Sequence, residues 1–371
     1  MIYFDNAATT QVCKEAATLM LQLCTEAYGN PSSLHRLGRD AEQYLEAARA
    51  ILAVKLCALP REITFTSGAT ESNHLAILGA LHNRRRKGSH IVTTEVEHPS
   101  VAALISHLEA TGAAAVTRVP PRKDGLIHTA DILAAVQPDT ALVTVQQVNN
   151  ETGNTADIAA IGTGLKRLDQ DVLFHADCAQ GFLKCPLNVH AAALDLASVS
   201  GHKVHAPKGI GALYTCKALK LAPQFYGGGQ ERGLRSGTEN LPGAAAFGAA
   251  AETYTAAAVP SLNTYLRAQL TARFSARIIS HEDALPHILS FSIKGGKSEV
   301  MIHMLEEQGI ILSSGSACAK GKQSPVLAAM GFQKNVSDSV LRLSLSKSST
   351  AAEADAFLEA LAVTCRRLRL L

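Results

Sequence analysis

Two hydrophobic periods alternate along the first two-thirds of the chain. Short apolar, β-branched runs occur at Ile63-Thr64-Phe65-Thr66, His90-Ile91-Val92-Thr93-Thr94, Ala114 to Val119, Ala141 to Val145, Val172 to His175, Leu196 to Ser200 and Ile210 to Tyr214. Each has the length of a buried strand. Between them lie longer stretches with helical spacing. One runs through Leu75, Ile77, Leu78 and Leu81, and another from Pro99 to Glu109. Proline is tolerated in the first turn of the second, and Gly112 follows close after its end. Strands alternating with helices predict α/β units around a mainly parallel sheet. From about Thr255 the order changes: an Ala-rich helical stretch, a strand over His287 to Ile293, and a helix through Val300, Met304 and Leu305. Two further strands at Ile310-Ile311-Leu312 and Leu341 to Leu345 precede a C-terminal helix from about Ala351. That pattern predicts a smaller α+β domain.

The polar residues most able to do chemistry sit where the predicted strands end. Ser67-Gly68-Ala69-Thr70 follows one strand, Glu97-His98 another, Asn149-Asn150-Glu151 a third, Asp177 a fourth and His202-Lys203 a fifth. Ligands of open α/β sheets gather at the carboxyl ends of strands, so these groups are expected to share one site.

Composition narrows the class without changing this picture. The 371 residues are 47% hydrophobic and 18% charged with a formal net charge of +3, which suits a globular protein and implies no polyanion partner. The cluster Arg84-Arg85-Arg86-Lys87 closes a helical segment, where cations suit the helix C-terminus better than they indicate nucleic-acid binding. None of the eight cysteines forms a CxxC pair or a metal-ligand spacing, so a reducing compartment without a disulfide framework or structural zinc is expected. The opening residues carry no basic and apolar signal pattern, and Glu252 interrupts the one long Ala-rich apolar stretch. A cytoplasmic location without membrane contact is the expectation.

Individual residues carry the chemistry. The Ser67 to Thr70 turn joins a strand to a helix, where N–H groups and hydroxyls suit a phosphate or a simple cap. Asp177 suits a loop carboxylate or the partner of a protonated pyridine nitrogen, which a carboxylate keeps in its electron-accepting form. Gln180 is placed to reach the phenolic oxygen of the same ring. His98 suits a structural histidine or, by its place at a strand end, ring stacking and proton transfer. Lys203 follows an apolar strand among small residues, where burial would lower its pKa and ready it for Schiff-base formation. Cys318 lies among Ser313, Ser314, Gly315, Ser316 and Ala317 with Lys320 and Lys322 close by, a setting that favours thiolate and suits either catalysis or an incidental surface thiol. Arg342, inside an apolar strand, requires a partner: a substrate carboxylate or a structural Asp or Glu. Together these residues suit a pyridoxal phosphate enzyme that moves sulfur.

Tyr3 to Thr10, Gly29 to Ser33, Phe65 to Asn73, Asn149 to Gly153, Ser200 to Lys203, Arg235 to Asn240 and Ser313 to Cys318 stand in one order that resembles the cysteine desulfurases of the NifS/IscS type. These are class V aminotransferase relatives with the fold-type I architecture. The resemblance runs nearly end to end. It implies a large pyridoxal phosphate-binding domain over 15–254 and a small domain, carrying the catalytic cysteine loop, from 1–14 and 255–371. It further implies that Lys203 holds pyridoxal 5'-phosphate as a Schiff base, Asp177 its pyridinium and Gln180 its phenolic oxygen, with His98 stacked on the ring. Ala69, Thr70, Ser200 and His202 would complete the cofactor and phosphate contacts, and Thr238 would reach the phosphate from the other subunit of a homodimer. Asn150 and Arg342 would clamp the carboxylate of L-cysteine, and Cys318 would take its sulfur as a persulfide, releasing L-alanine. Members of this family supply sulfur for iron–sulfur cluster assembly or tRNA thiolation, so an acceptor protein is the expected partner. The segment from Cys318 to Pro325-Val326-Leu327 is shorter than in the best-known members and carries Lys320, Gly321 and Lys322, which bears on the acceptor. On the same fold a selenocysteine lyase or an aminotransferase would be the alternative enzyme. A sulfur-relay protein without catalysis is the alternative of another class.

Overall fold

The computed structural model describes residues 1–84, 88–168, 170–255, 258–315 and 323–370. Twelve strands are present among them: β1 Ile2–Tyr3, β2 Ile63–Thr66, β3 His90–Thr94, β4 Ala115–Val119, β5 Thr140–Gln146, β6 Leu173–Asp177, β7 Leu196–Ser200, β8 Gly211–Thr215, β9 Arg277–Ile278, β10 Ile288–Ser292, β11 Ile310–Ile311 and β12 Val340–Ser344. Seven form the main sheet in the spatial order β2-β8-β7-β6-β5-β3-β4. All its pairings are parallel except the two made by β8. The reason is local. Only residues 201–210 separate β7 from β8, less than the roughly dozen or more residues that a parallel crossover needs.

Both faces of this sheet are covered, which explains why its strands read as continuous apolar runs. Successive side chains point to opposite faces. Ile91, Leu142, Leu173 and Leu196 pack with Leu75 and Ile77 of the helix Ala69–Arg84 and with Val101 and Ile105 of the helix Pro99–Ala110. Their sequence neighbours Val92, Val143, Phe174 and Ala197 face the other way, into a larger core with Leu45 and Leu52 of the helix Arg36–Leu56 and Phe247 of the helix Leu241–Glu252.

A second core gathers around the three-stranded antiparallel sheet β12-β10-β9, where Leu289, Phe291, Leu341 and Leu343 pack with Phe357 and Leu361 of the helix Ala351–Arg367. Phe4 belongs to this core too. The Ile310 run does not join that sheet; its partner is β1, paired in parallel. Local sequence gives no signal for so distant a match. After β1 the chain forms a strap between the two sheets. Ser344 N donates to Phe4 O at 2.6 Å, Thr10 N to His202 O at 2.9 Å and Cys13 N to His205 O at 2.9 Å. No helix among the described residues is long and apolar enough to cross a membrane.

Candidate active site

A cavity of about 760 Å³ opens at the carboxyl ends of β2, β3, β5, β6 and β7, closed on the far side by the strap and β12. Its walls bring together most of the residues singled out from the sequence: Ala69, Thr70, His98, Asn150, Asp177, Gln180, Ser200, His202, Lys203 and Arg342. Thr238 is elsewhere, in a neighbouring hollow with Arg235 and Ser67. Cys318 lies outside the described residues, as do Lys320 and Lys322.

The turn from β2 into the helix Ala69–Arg84 lies directly on β8. A Cβ at Gly211 would stand 2.6 Å from Gly68 Cα, so only glycine at 211 admits this approach. The turn aims the helix's first N–H groups, which have no intrahelical acceptor, at the cavity beside Thr70 and Ser200. Glu71 steadies it by accepting from Ser67 N at 2.9 Å and pairing with Arg235 Nε at 2.9 Å. Behind the turn, Glu231 accepts from Phe65 N and holds the buried Arg49 at 2.8 and 2.9 Å.

Lys203 ends a single helical turn after β7. Its ammonium donates to Ala7 O at 2.6 Å and Ala8 O at 2.9 Å, both on the strap. Burial, with help from Arg342, pulls its pKa from 10.5 to about 8, against Asp5 and Asp177, which raise it. His202 next to it is held near 4 by burial and then by Lys203. Ala7 O also accepts from Gln180 Nε2 at 2.9 Å, while Gln180 Oε1 is buried without a partner among the described residues.

Asp177, the last residue of β6, is 2% exposed. Its carboxylate accepts from Ala179 N at 3.0 Å and Asn73 Nδ2 at 2.9 Å, and no cation pairs with it among the described residues. Asn73 Nδ2 donates in addition to Ser100 Oγ at 2.9 Å. Ser100 Oγ is 2.8 Å from His98 Nδ1, and Ser100 N donates to the same nitrogen at 3.1 Å. His98 thus caps the helix Pro99–Ala110 with its ring. Burial lowers its pKa, Asp177 opposes this, and Lys203 adds to it. Glu97 beside it is buried and pushed up to about 8, mainly by desolvation.

Arg342 on β12 is buried and has a structural partner: its Nη2 lies 2.7 Å from Asp5 Oδ1. Its Nη1 donates to Asn150 O at 2.7 Å and Gly315 O at 3.5 Å, and its Nε has no partner among the described residues. Asn150 Oδ1 accepts from Gln146 Nε2 at 3.4 Å. Sequence reasoning assigned no role to Asp5, Asn73, Ser100 or the carbonyls of Ala7 and Ala8. Asp5 and Asn73 stand inside the blocks that carry the resemblance, but only the fold brings them against Arg342 and Asp177.

An amine of lowered basicity, a buried carboxylate with no cation partner among the described residues and the start of a helix surround one cavity of an α/β sheet, the layout of an enzyme site. Residues 2–357 match the family Aminotransferase class-V, and the chain belongs to that family. It is 38% identical to a protein of Trichormus azollae named cysteine desulfurase, over 100% of this chain and 94% of that one. A solved structure titled NIFS-like protein superposes with a TM-score of 0.92 at 33% identity, covering 99% of each chain. Another, titled SspA in complex with cysteine, gives 0.85 at 34% identity over 94% of this chain and 100% of that one. The α/β architecture expected from the sequence, with a mainly parallel sheet and a smaller α+β part, is the one present.

Proposed function

We propose that the protein is a pyridoxal phosphate-dependent cysteine desulfurase, taking sulfur from L-cysteine onto Cys318 and releasing L-alanine. The observation that carries this reading is the convergence of Lys203 and Asp177 on one cavity. Asp177 is a buried carboxylate with neutral donors alone among the described residues, a setting that suits a cationic ring nitrogen. Gln180 keeps one amide hydrogen beyond that given to Ala7 O, available for a phenolic oxygen. The helix end at Ala69 and Thr70, with Ser200 and His202, suits a phosphate. When bound, pyridoxal phosphate supplies an electron sink for carbanion chemistry at the carbon beside the substrate amine.

The chain's own residues do the rest. Lys203, with its basicity lowered, keeps a sizeable share of neutral amine near pH 8, the form that reacts with a carbonyl. The same amine, on the cavity wall, would be the group at hand to move a proton there. His98, Asn150 and Arg342 line the same space, where the Arg342 guanidinium suits a substrate carboxylate. Cys318 receives the sulfur and passes it to an acceptor protein that assembles iron–sulfur clusters or thiolates tRNA. Thr238 faces a separate hollow in its own subunit, which agrees with a homodimer in which it reaches the partner's phosphate. We place the protein in the cytoplasm and divide it at 15–254 against 1–14 with 255–371; the grouping of Phe4 with the second core supports that division.

The test is to follow alanine and sulfide from L-cysteine with cofactor-loaded protein and a thiol reductant. Equal amounts from wild type, and no sulfide from Cys318→Ser, are expected. Alanine from selenocysteine alone would make it a lyase, and no product from either amino acid would refute the reading.

A further inference from the structure

The hydrogen bonds behind His98 have a determined direction. Asn73 spends both amide hydrogens: one on the Asp177 carboxylate at 2.9 Å, the other on Ser100 Oγ at 2.9 Å. The reverse amide orientation would set Asn73 Oδ1 against that carboxylate, oxygen to oxygen. Ser100 Oγ therefore accepts from Asn73, and because the backbone N–H of Ser100 already makes His98 Nδ1 an acceptor, the 2.8 Å contact between Oγ and Nδ1 takes the hydroxyl hydrogen of Ser100. Ser100 N, which can only donate, is aimed at the same nitrogen at 3.1 Å. Two donors thus converge on Nδ1, at the N-terminus of the helix Pro99–Ala110, where backbone N–H groups disfavour positive charge. The hydrogen bonds of the ring among the described residues are both at Nδ1, none at Nε2, and His98 lines the cavity.

We propose that Ser100 and Asn73 are positioning residues that lock resting His98 as the neutral tautomer with its hydrogen on Nε2, so that the ring offers the cavity a donor and not a lone pair. This deepens the proposed function, on which its catalytic meaning rests. At Nε2 the resting imidazole gives a hydrogen bond to substrate or cofactor oxygen or sulfur; it does not take a proton from the incoming thiol or ammonium there. Accepting a proton requires Nδ1, whose lone pair is already spent on Ser100. The charged and titratable groups acting on the ring are Asp177 from β6 and Lys203 and His202 from the turn after β7; Glu97, the residue before His98, accepts at its carboxylate from Thr94 Oγ1 and Gln146 N instead. Asp177 is linked to the same relay through Asn73, so its orientation and the histidine's tautomer are set together.

The tautomer is a property of the chain and is read without activity. In ¹⁵N spectra of cofactor-free, histidine-labelled protein, His98 is identified by the signals lost in His98→Gln. Near neutral pH we expect a pyridine-type Nδ1 and a protonated, pyrrole-type Nε2. Ser100→Ala removes one of the two donors and should raise the titration midpoint of His98 by about half to one pH unit; Ser100→Thr, which keeps the hydroxyl, should restore it. A hydrogen on Nδ1 in the wild type near pH 7, or an unchanged midpoint in Ser100→Ala, overturns the proposal. Failure to form alanine would sink the desulfurase reading and leave these spectra as they are, so the two claims fail separately.

Discussion

Replacing Asp5 by Asn isolates the contact that ties the strap to the substrate end of the cavity. Asp5 Oδ1 lies 2.7 Å from Arg342 Nη2, with the arginine side chain 3% exposed and the aspartate 20%. Removing one partner of a fully buried pair costs about 3–5 kcal/mol, because the other charge is left uncompensated. Water at the partly exposed carboxylate, and the carbonyls of Asn150 and Gly315 that remain on Nη1, reduce this to about 2–3 kcal/mol. At about 2.1 cal/mol/K per residue, 371 residues give an unfolding entropy of about 0.8 kcal/mol/K, so Tm should fall by about 3–4 °C. Calorimetry of cofactor-free Asp5→Asn reads this directly. The cofactor-loaded variant should regain more Tm from saturating L-alanine than the wild type does, because a bound carboxylate supplies the charge that Asp5 gave. An unchanged or higher Tm in the variant would show that the pair does not hold Arg342, and the argument for its part in the strap would fall.

Three further outcomes follow from buried charges. Lys203 is pulled from 10.5 to about 8, so the rate at which cofactor-free protein combines with pyridoxal phosphate should rise with pH to a midpoint near 8; a midpoint near 10 in stopped-flow absorbance would contradict the burial of this amine. Glu97 is pushed from 4.5 to about 8, so the folded state binds the extra proton and stability falls as pH rises through that window. Glu97→Gln should flatten the slope, and denaturant midpoints that still fall equally in the variant would reject this. The pair of Arg49 with Glu231 is 4% and 3% exposed and also anchors Phe65 N; Glu231→Gln should cost about 3–5 kcal/mol by urea unfolding, and a loss under 1 would reject the pair as an anchor of β2.

The main sheet was readable because both its faces are buried: continuous apolar runs between helical stretches leave few alternatives. The reversal of β8 was hidden, since apolar period carries no strand direction; the short turn after Ser200 held that information. That Lys203, Asp177 and His98 meet in one cavity was legible from their places at strand ends. Asp5, Asn73 and Ser100 were not, because their meaning depends on contacts such as Asn73 with Asp177 and Asp5 with Arg342, made between segments far apart in the chain. For Arg342 the sequence left two partners open, a substrate carboxylate or a structural acid. The structure supplies the acid, Asp5, while Nε is buried without a partner among the described residues.

The central claim is that the site built around Lys203 and Asp177 delivers the sulfur of L-cysteine to Cys318. Its most direct test is mass spectrometry of cofactor-loaded protein after brief exposure to L-cysteine without reductant, with digestion to locate the change. The account predicts the gain of one sulfur atom on the peptide containing Cys318, reversed by a thiol reductant and absent in Lys203→Ala. Alanine formed at the wild-type rate with no sulfur on that peptide would contradict it.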